Sequence, residues 1–247
     1  QGFDIADVWG IGRKHAEKLH YYGNRTAWDF TQKSESWVRK MLTVTGVRTW
    51  KELQGISCID IEELPQKKSI CTSRSFADQG LSELTQVEEA VANFAASCSR
   101  KLKEQRSCCR SMTIFAYTSR FRMDLPSHAI NRTVTFPVPT NDQQELVAAA
   151  VRALRSEWRK GNTYLYKKAG VIVWNICPDS AIQTNLFDTI DRDKQARLAA
   201  AIDAINRKNG YNTVKVAVQG NGKGWHLKCE HITRQYTTNL KEIIQVK

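Results

Sequence analysis

No stretch of this chain approaches the roughly 20 consecutive apolar residues that a membrane helix needs. No charged-then-apolar signal segment opens it either. Membrane-spanning and secreted classes are set aside, and the expectation is a soluble, cytoplasmic protein with no membrane partner. The seven cysteines, Cys58, Cys71, Cys98, Cys108, Cys109, Cys177 and Cys229, are odd in number and lack C-x-x-C spacing, so no disulfide framework is expected. Most lie in apolar periodic segments and read as reduced core thiols. His226, Cys229 and His231 lack a fourth ligand, and on a strand His226 points away from the other two, so no metal site is expected. An initiator methionine is also missing. The chain starts at Gln1, in the approach to a helical hairpin, and reads as a piece of something longer.

Acidic residues are in short supply, 25 against 37 basic ones, for a net charge of +12. The excess is uneven: zero over residues 1–66, +7 over 67–180 and +5 over 181–247. The middle segment is therefore the electrostatic footprint of an anionic partner. The neutral first segment binds phosphate, if it does so, by local geometry.

That geometry is offered by Val8-Trp9-Gly10-Ile11-Gly12-Arg13-Lys14. Two glycines one residue apart turn the backbone tightly and leave the first amides of the next helix open to an anion, with Arg13 and Lys14 beside them. A DNA backbone phosphate suits such a site, and the contact ignores sequence. A short helical hairpin whose glycines serve packing alone is the competing reading.

Apolar groups at helical spacing, Leu19 with Tyr22, then Trp28, Phe30, Trp37, Val38, Met41 and Leu42, predict short helices broken at Gly23, Gly46 and Gly55. The tryptophans read as core. Charged residues with Pro65 make 61–68 a linker. Beyond it the periods give a strand over 69–76 and a helix carrying Val87 to Leu102, opened by Glu88 and Glu89. Strands near 112–117 and 133–138, a helix over 146–158 and a strand over 170–176 follow. The order βαββαβ predicts one sheet with two helices on one face. Candidates for the open face are Arg74, Arg110, Ser119, Arg120, Arg122 and Arg132. Without a [KR]-G-[FY]-[GA]-[FY] signature, backbone contacts are expected over base stacking.

Periodicity lapses over 179–188, which holds Gln183-Thr184-Asn185-Leu186-Phe187-Asp188. An adjacent Leu-Phe pair with a nearby amide suits a shallow apolar pocket on a partner, although such a loop also folds back on its own domain in many proteins. The tail then shows Leu198, Ile202 and Ile205 on a helix. Val214, Val216 and Val218 alternate as a strand, turned by 220–224 into a hairpin partner.

Taken together, these residues resemble the C-terminal part of a Y-family translesion DNA polymerase of the UmuC branch, the catalytic subunit of bacterial polymerase V. The hairpin at 8–13 resembles the family's thumb, a helix-hairpin-helix element on duplex phosphates. Ile70-Cys71-Thr72-Ser73-Arg74-Ser75-Phe76 resembles the first strand of the little finger, continued by Cys109-Arg110, Tyr117-Thr118-Ser119 and Lys168-Ala169-Gly170-Val171. The segment 183–188 falls where UmuC-like chains carry a sliding-clamp peptide, with Thr184 where an apolar residue is common, and Tyr236-Thr237-Thr238 falls in the UmuC extension.

The resemblance implies an α+β chain: an all-helical thumb (1–66), a βαββαβ little finger (67–179), a clamp peptide (180–190) and a small α+β extension (191–247). The implied DNA contacts are Gly10, Ile11, Gly12, Arg13, Lys14, Lys68, Ser73, Arg74, Arg110, Ser119, Arg120 and Arg122. The implied clamp contacts are Gln183, Leu186 and Phe187. Implied partners are primer-template DNA, the bacterial sliding clamp, a UmuD-type accessory subunit and a recombinase filament, in the SOS response to DNA damage. The family's two magnesium ions belong to palm carboxylates upstream of anything matching Gln1, so this chain is expected to hold no cofactor and to catalyse nothing itself. A free-standing, non-enzymatic DNA adaptor recruited to the clamp is the alternative.

Overall fold

A computed structural model describes residues 2–58, 66–77, 80–159, 161, 163–221, 224–225 and 232–244. Most of the expected linker lies outside them, as do His226, Cys229 and His231. The chain divides into two compact units, Gln1–Pro65 and Gln66–Lys247. No described helix is long and apolar enough to cross a membrane.

The first unit holds a 3-10 turn at Ile5–Asp7 and helices α1 (Arg13–Tyr21), α2 (Ala27–Thr31) and α3 (Glu35–Glu52). Short polar side chains start them. Thr26 and Asp29 form a capping box on α2, and Ser34 accepts from the Trp37 amide at α3. Ile5, Val8, Ile11, Leu19, Phe30, Val38, Leu42 and Val47 make the core. The tryptophans do not, contrary to the periodicity. Trp28 is 52% exposed, while Trp37 and Trp50 only flank the core, Trp50 donating its indole N–H to the Thr31 carbonyl at 3.2 Å. Gly46 is not a break either. It lies inside α3, whose break is at Thr43 with φ 63° and ψ −165°. That break folds Leu42 over Gly46, where a Cβ would collide with the leucine side chain.

The second unit runs β1 (Ser69–Ser75), α4 (Leu84–Glu104), β2 (Ser107–Thr118), β3 (Ala129–Thr140), α5 (Gln143–Glu157), β4 (Tyr166–Pro178) and α6 (Arg192–Asn209). The sheet order is β1-β4-β2-β3, every neighbouring pair antiparallel. Each helix therefore crosses one intervening strand: α4 carries the chain past β4, and α5 carries it past β2. Ile70, Met112, Ile114, Ala116, Val171 and Val173 bury one sheet face in a core shared with Val91, Ala95, Leu102, Leu146, Ala150 and Leu154. Glu88, expected among the opening acids of its helix, lies a turn inside α4 with its carboxylate buried. Arg155 of α5 donates to it through Nε (2.6 Å) and Nη2 (2.9 Å), joining the two helices. Cys98, Cys108 and Cys109 are core residues, and burial pushes the Cys108 thiol up to about 12.

The tail departs from expectation. Residues 214–218 form no strand; they run to a 3-10 turn at Ala217–Gln219 that meets α4. Val216 and Val218 pack on the core of the unit, so their alternation serves a helix surface and no strand edge. Gln219 is buried. Asn93 donates to its carbonyl at 2.7 Å, and Gln143 donates to its side-chain oxygen at 3.0 Å. α6 buries no residue fully and is tied on by Lys103, which donates to Asp203 at 2.8 Å.

Candidate nucleic-acid interface

Strand register decides which side chains share the face that the helices leave open. Ser73, Gly170, Phe115 and Asn131 form one cross-strand row, and Ser75, Lys168, Tyr117 and Ala129 the next. Cys71, Ile172, Thr113 and Thr133 form a third, with Thr113 and Thr133 hydroxyls 2.8 Å apart. The open face is thus a lane of small hydroxyl groups set among rings.

The register corrects two arginines. Arg74 shares a row with Ala169, Ala116 and Ile130, and Arg132 shares one with Val171 and Ile114. Those rows belong to the helix-covered face, and Arg132 pairs with Glu157 of α5 at 3.4 Å. Both stay exposed because they sit on the outer strands. Ser119, Arg120 and Arg122 follow β2 in the loop to β3, where Arg122 forks onto Asp124 (2.8 and 2.6 Å) and holds its carboxyl down at about 2. Arg110 is at the other end of β2, about 30 Å away at strand rise. There it lines a groove with Pro137, Asn175 and Ile176, and with Gln183 and Leu186. Lys68 is exposed just before β1. Within the second unit, Arg110 and the loop holding Ser119, Arg120 and Arg122 are thus two separate groups.

In the first unit, Gly10 has φ +94°, and a Cβ there would meet Thr49 Oγ1 at 2.9 Å. Gly12 differs: it is the N-cap of α1 at φ −78°, with open space around a Cβ. Only Gly10 is demanded by the fold. Ile11 is a packing residue, its side chain in the core and its amide donating to the Val8 carbonyl at 3.0 Å. Arg13 and Lys14 are exposed, and α1 has neither a side-chain cap nor an acid in its first turn. Gly12→Asp should therefore cap the helix and hold or raise the thermal midpoint. The same change should weaken duplex DNA binding by about tenfold if these amides take a phosphate. Unchanged duplex affinity in fluorescence anisotropy would leave the hairpin a packing element.

The Leu186 and Phe187 side chains do not fold back on the domain. Leu186 is 100% and Phe187 88% exposed. Their display is built: the Phe187 amide donates to Asn185 Oδ1 at 3.0 Å, and the Asp188 amide to the Asn185 carbonyl at 3.0 Å. Arg192 donates through Nε to Asp188 Oδ2 (2.7 Å) and through Nη1 to Glu145 Oε2 of α5 (2.8 Å), clasping the end of the turn to the domain. Its hydrogen bond holds the Asp188 carboxyl below the usual carboxylate range. The clasp is therefore complete above that range and fails only as pH falls through the lowered value.

Comparison with known proteins places this geometry. Residues 67–186 match the impB/mucB/samB family C-terminal domain, and 196–246 match a domain of unknown function, DUF4113. Protein UmuC of Salmonella typhimurium (strain LT2) is 35% identical over 245 residues, covering 98% of this chain and 57% of that protein. The chain resembles the UmuC-like Y-family polymerases. It matches their C-terminal part. Protein ImpB of Salmonella typhimurium is also 35% identical, over 241 residues, 97% of this chain and 56% of its own length. DNA polymerase IV 1 of Bacillus subtilis (strain 168) is 23% identical over 247 residues, 98% of this chain and 55% of its own length. The UmuC-like chain thus spans somewhat over half the length of these relatives.

In this UmuC-like chain the matched domain takes in all four strands, α4 and α5, and reaches Leu186. Two sets of residues escaped the sequence reading. Arg192 gave no signal because Glu145, its partner on the domain, lies on another helix. The rings of the open face did signal, as Phe115 and Tyr117 two apart on the exposed parity of β2. The residues present do not fit the family's paired magnesium ions: Asp191 is spent accepting from the Lys194 amide, and among the described residues no group of three or more His, Cys, Asp or Glu could hold a metal.

Proposed function

We propose that this chain is the DNA-holding and clamp-recruiting region of an error-prone translesion DNA polymerase acting in DNA damage tolerance and the SOS response, with nucleotidyl transfer on a palm outside it. The observation that carries this reading is the 35% identity to protein UmuC along 98% of the chain. The basic open-face sheet and the displayed Leu186–Phe187 turn support it. Residues 1–66 act as the thumb and 67–179 as the little finger on primer-template DNA. Residues 180–190 dock on the sliding clamp, and 191–247 form the extension.

On this reading Lys68, Ser73, Arg110, Ser119 and Arg120 contact phosphates, joined by Lys168 from the open face and by Arg74 from the edge. Arg122 contributes to the extent that phosphate competes with Asp124. The extension recruits a protein partner, a UmuD-type subunit or a recombinase filament. Cutting it off would strip buried Gln219 from α4, so point substitutions on α6 are the cleaner probe.

Phosphate contacts release counterions, so log affinity should fall linearly with log salt and with little sequence preference. Replacing Arg110, Arg120 and Lys168 together by alanine should lower affinity for all duplexes alike and flatten the salt slope by about three. Anisotropy titrations at several salt concentrations test it. A flat salt response in the parent, or one strongly preferred sequence, would favour a different function.

A further inference from the structure

The open sheet face carries more aromatic surface than a phosphate-binding face requires. Phe115 and Tyr117, two apart on β2, are half-buried with ring centroids 5.8 Å apart and planes 15° from parallel. Gly170 makes room for this: it pairs with Phe115 across the sheet, and a Cβ there would strike both the Phe115 ring and Ser73. Trp174 adds an exposed indole on the same side, its N–H donating to Thr113 at 3.0 Å. Just past the strand, Phe121 is 95% exposed and lines one depression with Tyr117, Arg120 and Lys168. Rings thus line the face, with Arg120 and Lys168 beside Tyr117 and Phe121 at one end.

The geometry points to a single-stranded DNA track on this face, with Phe115, Tyr117 and Phe121 as stacking platforms and Arg120 and Lys168 on the backbone. Duplex DNA hides its base faces, so flat rings gain little from it, whereas every unpaired base offers a π-face. The Phe115 and Tyr117 rings are 5.8 Å apart, and a flexible single strand can splay its bases to that spacing. The cations select a polyanion over an apolar peptide. The inference rests on the reading of this face as DNA-binding and adds the unpaired template beyond the duplex to what the same cations hold.

The test uses the whole chain with two probes, fluorescein-labelled oligothymidine and a blunt duplex of mixed sequence. Phe115→Leu with Tyr117→Leu keeps apolar bulk and removes the rings. Oligothymidine affinity should fall about tenfold or more, while duplex affinity should change less than about twofold. Tyr117→Trp alone should retain oligothymidine binding while Tyr117→Leu alone loses it, which keeps the test valid if the double variant melts early. Equal loss on both probes, or no loss on oligothymidine, overturns the track. A parent that binds duplex but no oligothymidine overturns it too and spares the broader reading. A parent that binds oligothymidine alone overturns the duplex reading and spares the track.

Discussion

Leu186→Ala combined with Phe187→Ala is expected to abolish binding to the purified bacterial sliding clamp and leave everything else in place. Both side chains stand in solvent, so their removal takes nothing from the core, and the thermal midpoint should hold. An apolar anchor seated in a partner's pocket is typically worth about 2 kcal/mol or more, and losing two costs about a thousandfold in affinity. The turn at Asn185 and the clasp at Arg192 pre-form the segment, so the chain should bind more tightly than a free peptide of the same sequence. Calorimetric titration measures both. Retained binding by the double variant would move the contact to another surface.

Gly46→Ala is expected to produce the largest loss of stability in the first unit. The Thr43 break lays Leu42 over Gly46, and the clash involves the leucine near its backbone attachment, where no rotamer change relieves it. Overpacking of this kind costs about 1–3 kcal/mol, against which alanine recovers about 1 kcal/mol of helix propensity. The steric term wins while the break persists. Each net kcal/mol lowers the midpoint of so small a unit by about 4–8 °C, read by calorimetry with amide exchange followed in α3. A raised midpoint would mean that α3 runs straight through Thr43 in solution.

The sheet was legible because its two faces have different chemistry. Met112, Ile114 and Ala116 against Thr113, Phe115 and Tyr117 announce a half-covered strand, and the two amphipathic helices announce the cover. Strand order was not legible, since alternation says nothing about which strand lies beside which. Arg74 and Arg132 were placed on the open face for that reason: on an outer strand a long side chain reaches solvent from either face. The valines of the tail misled because a period of two also fits a turn pressed on a helix. Gly46 misled because a glycine that makes room and a glycine that ends a helix look the same in sequence. The display of Leu186 and Phe187 rests on Asn185, whose bonds are local, and on Arg192, whose role appears only once Glu145 is nearby.

The sheet order also sets when the domain becomes complete. β4, the last of the four described strands, is central, so until residue 178 has emerged β1 has no partner and β2 has only β3. Pairings so distant in sequence close slowly, and two unpaired edges wait in the meantime. The Leu186–Phe187 turn leaves the ribosome only a few residues later. Its clasp needs α5 already docked, so a nascent chain presents this peptide in its built form only after the sheet beneath it has closed.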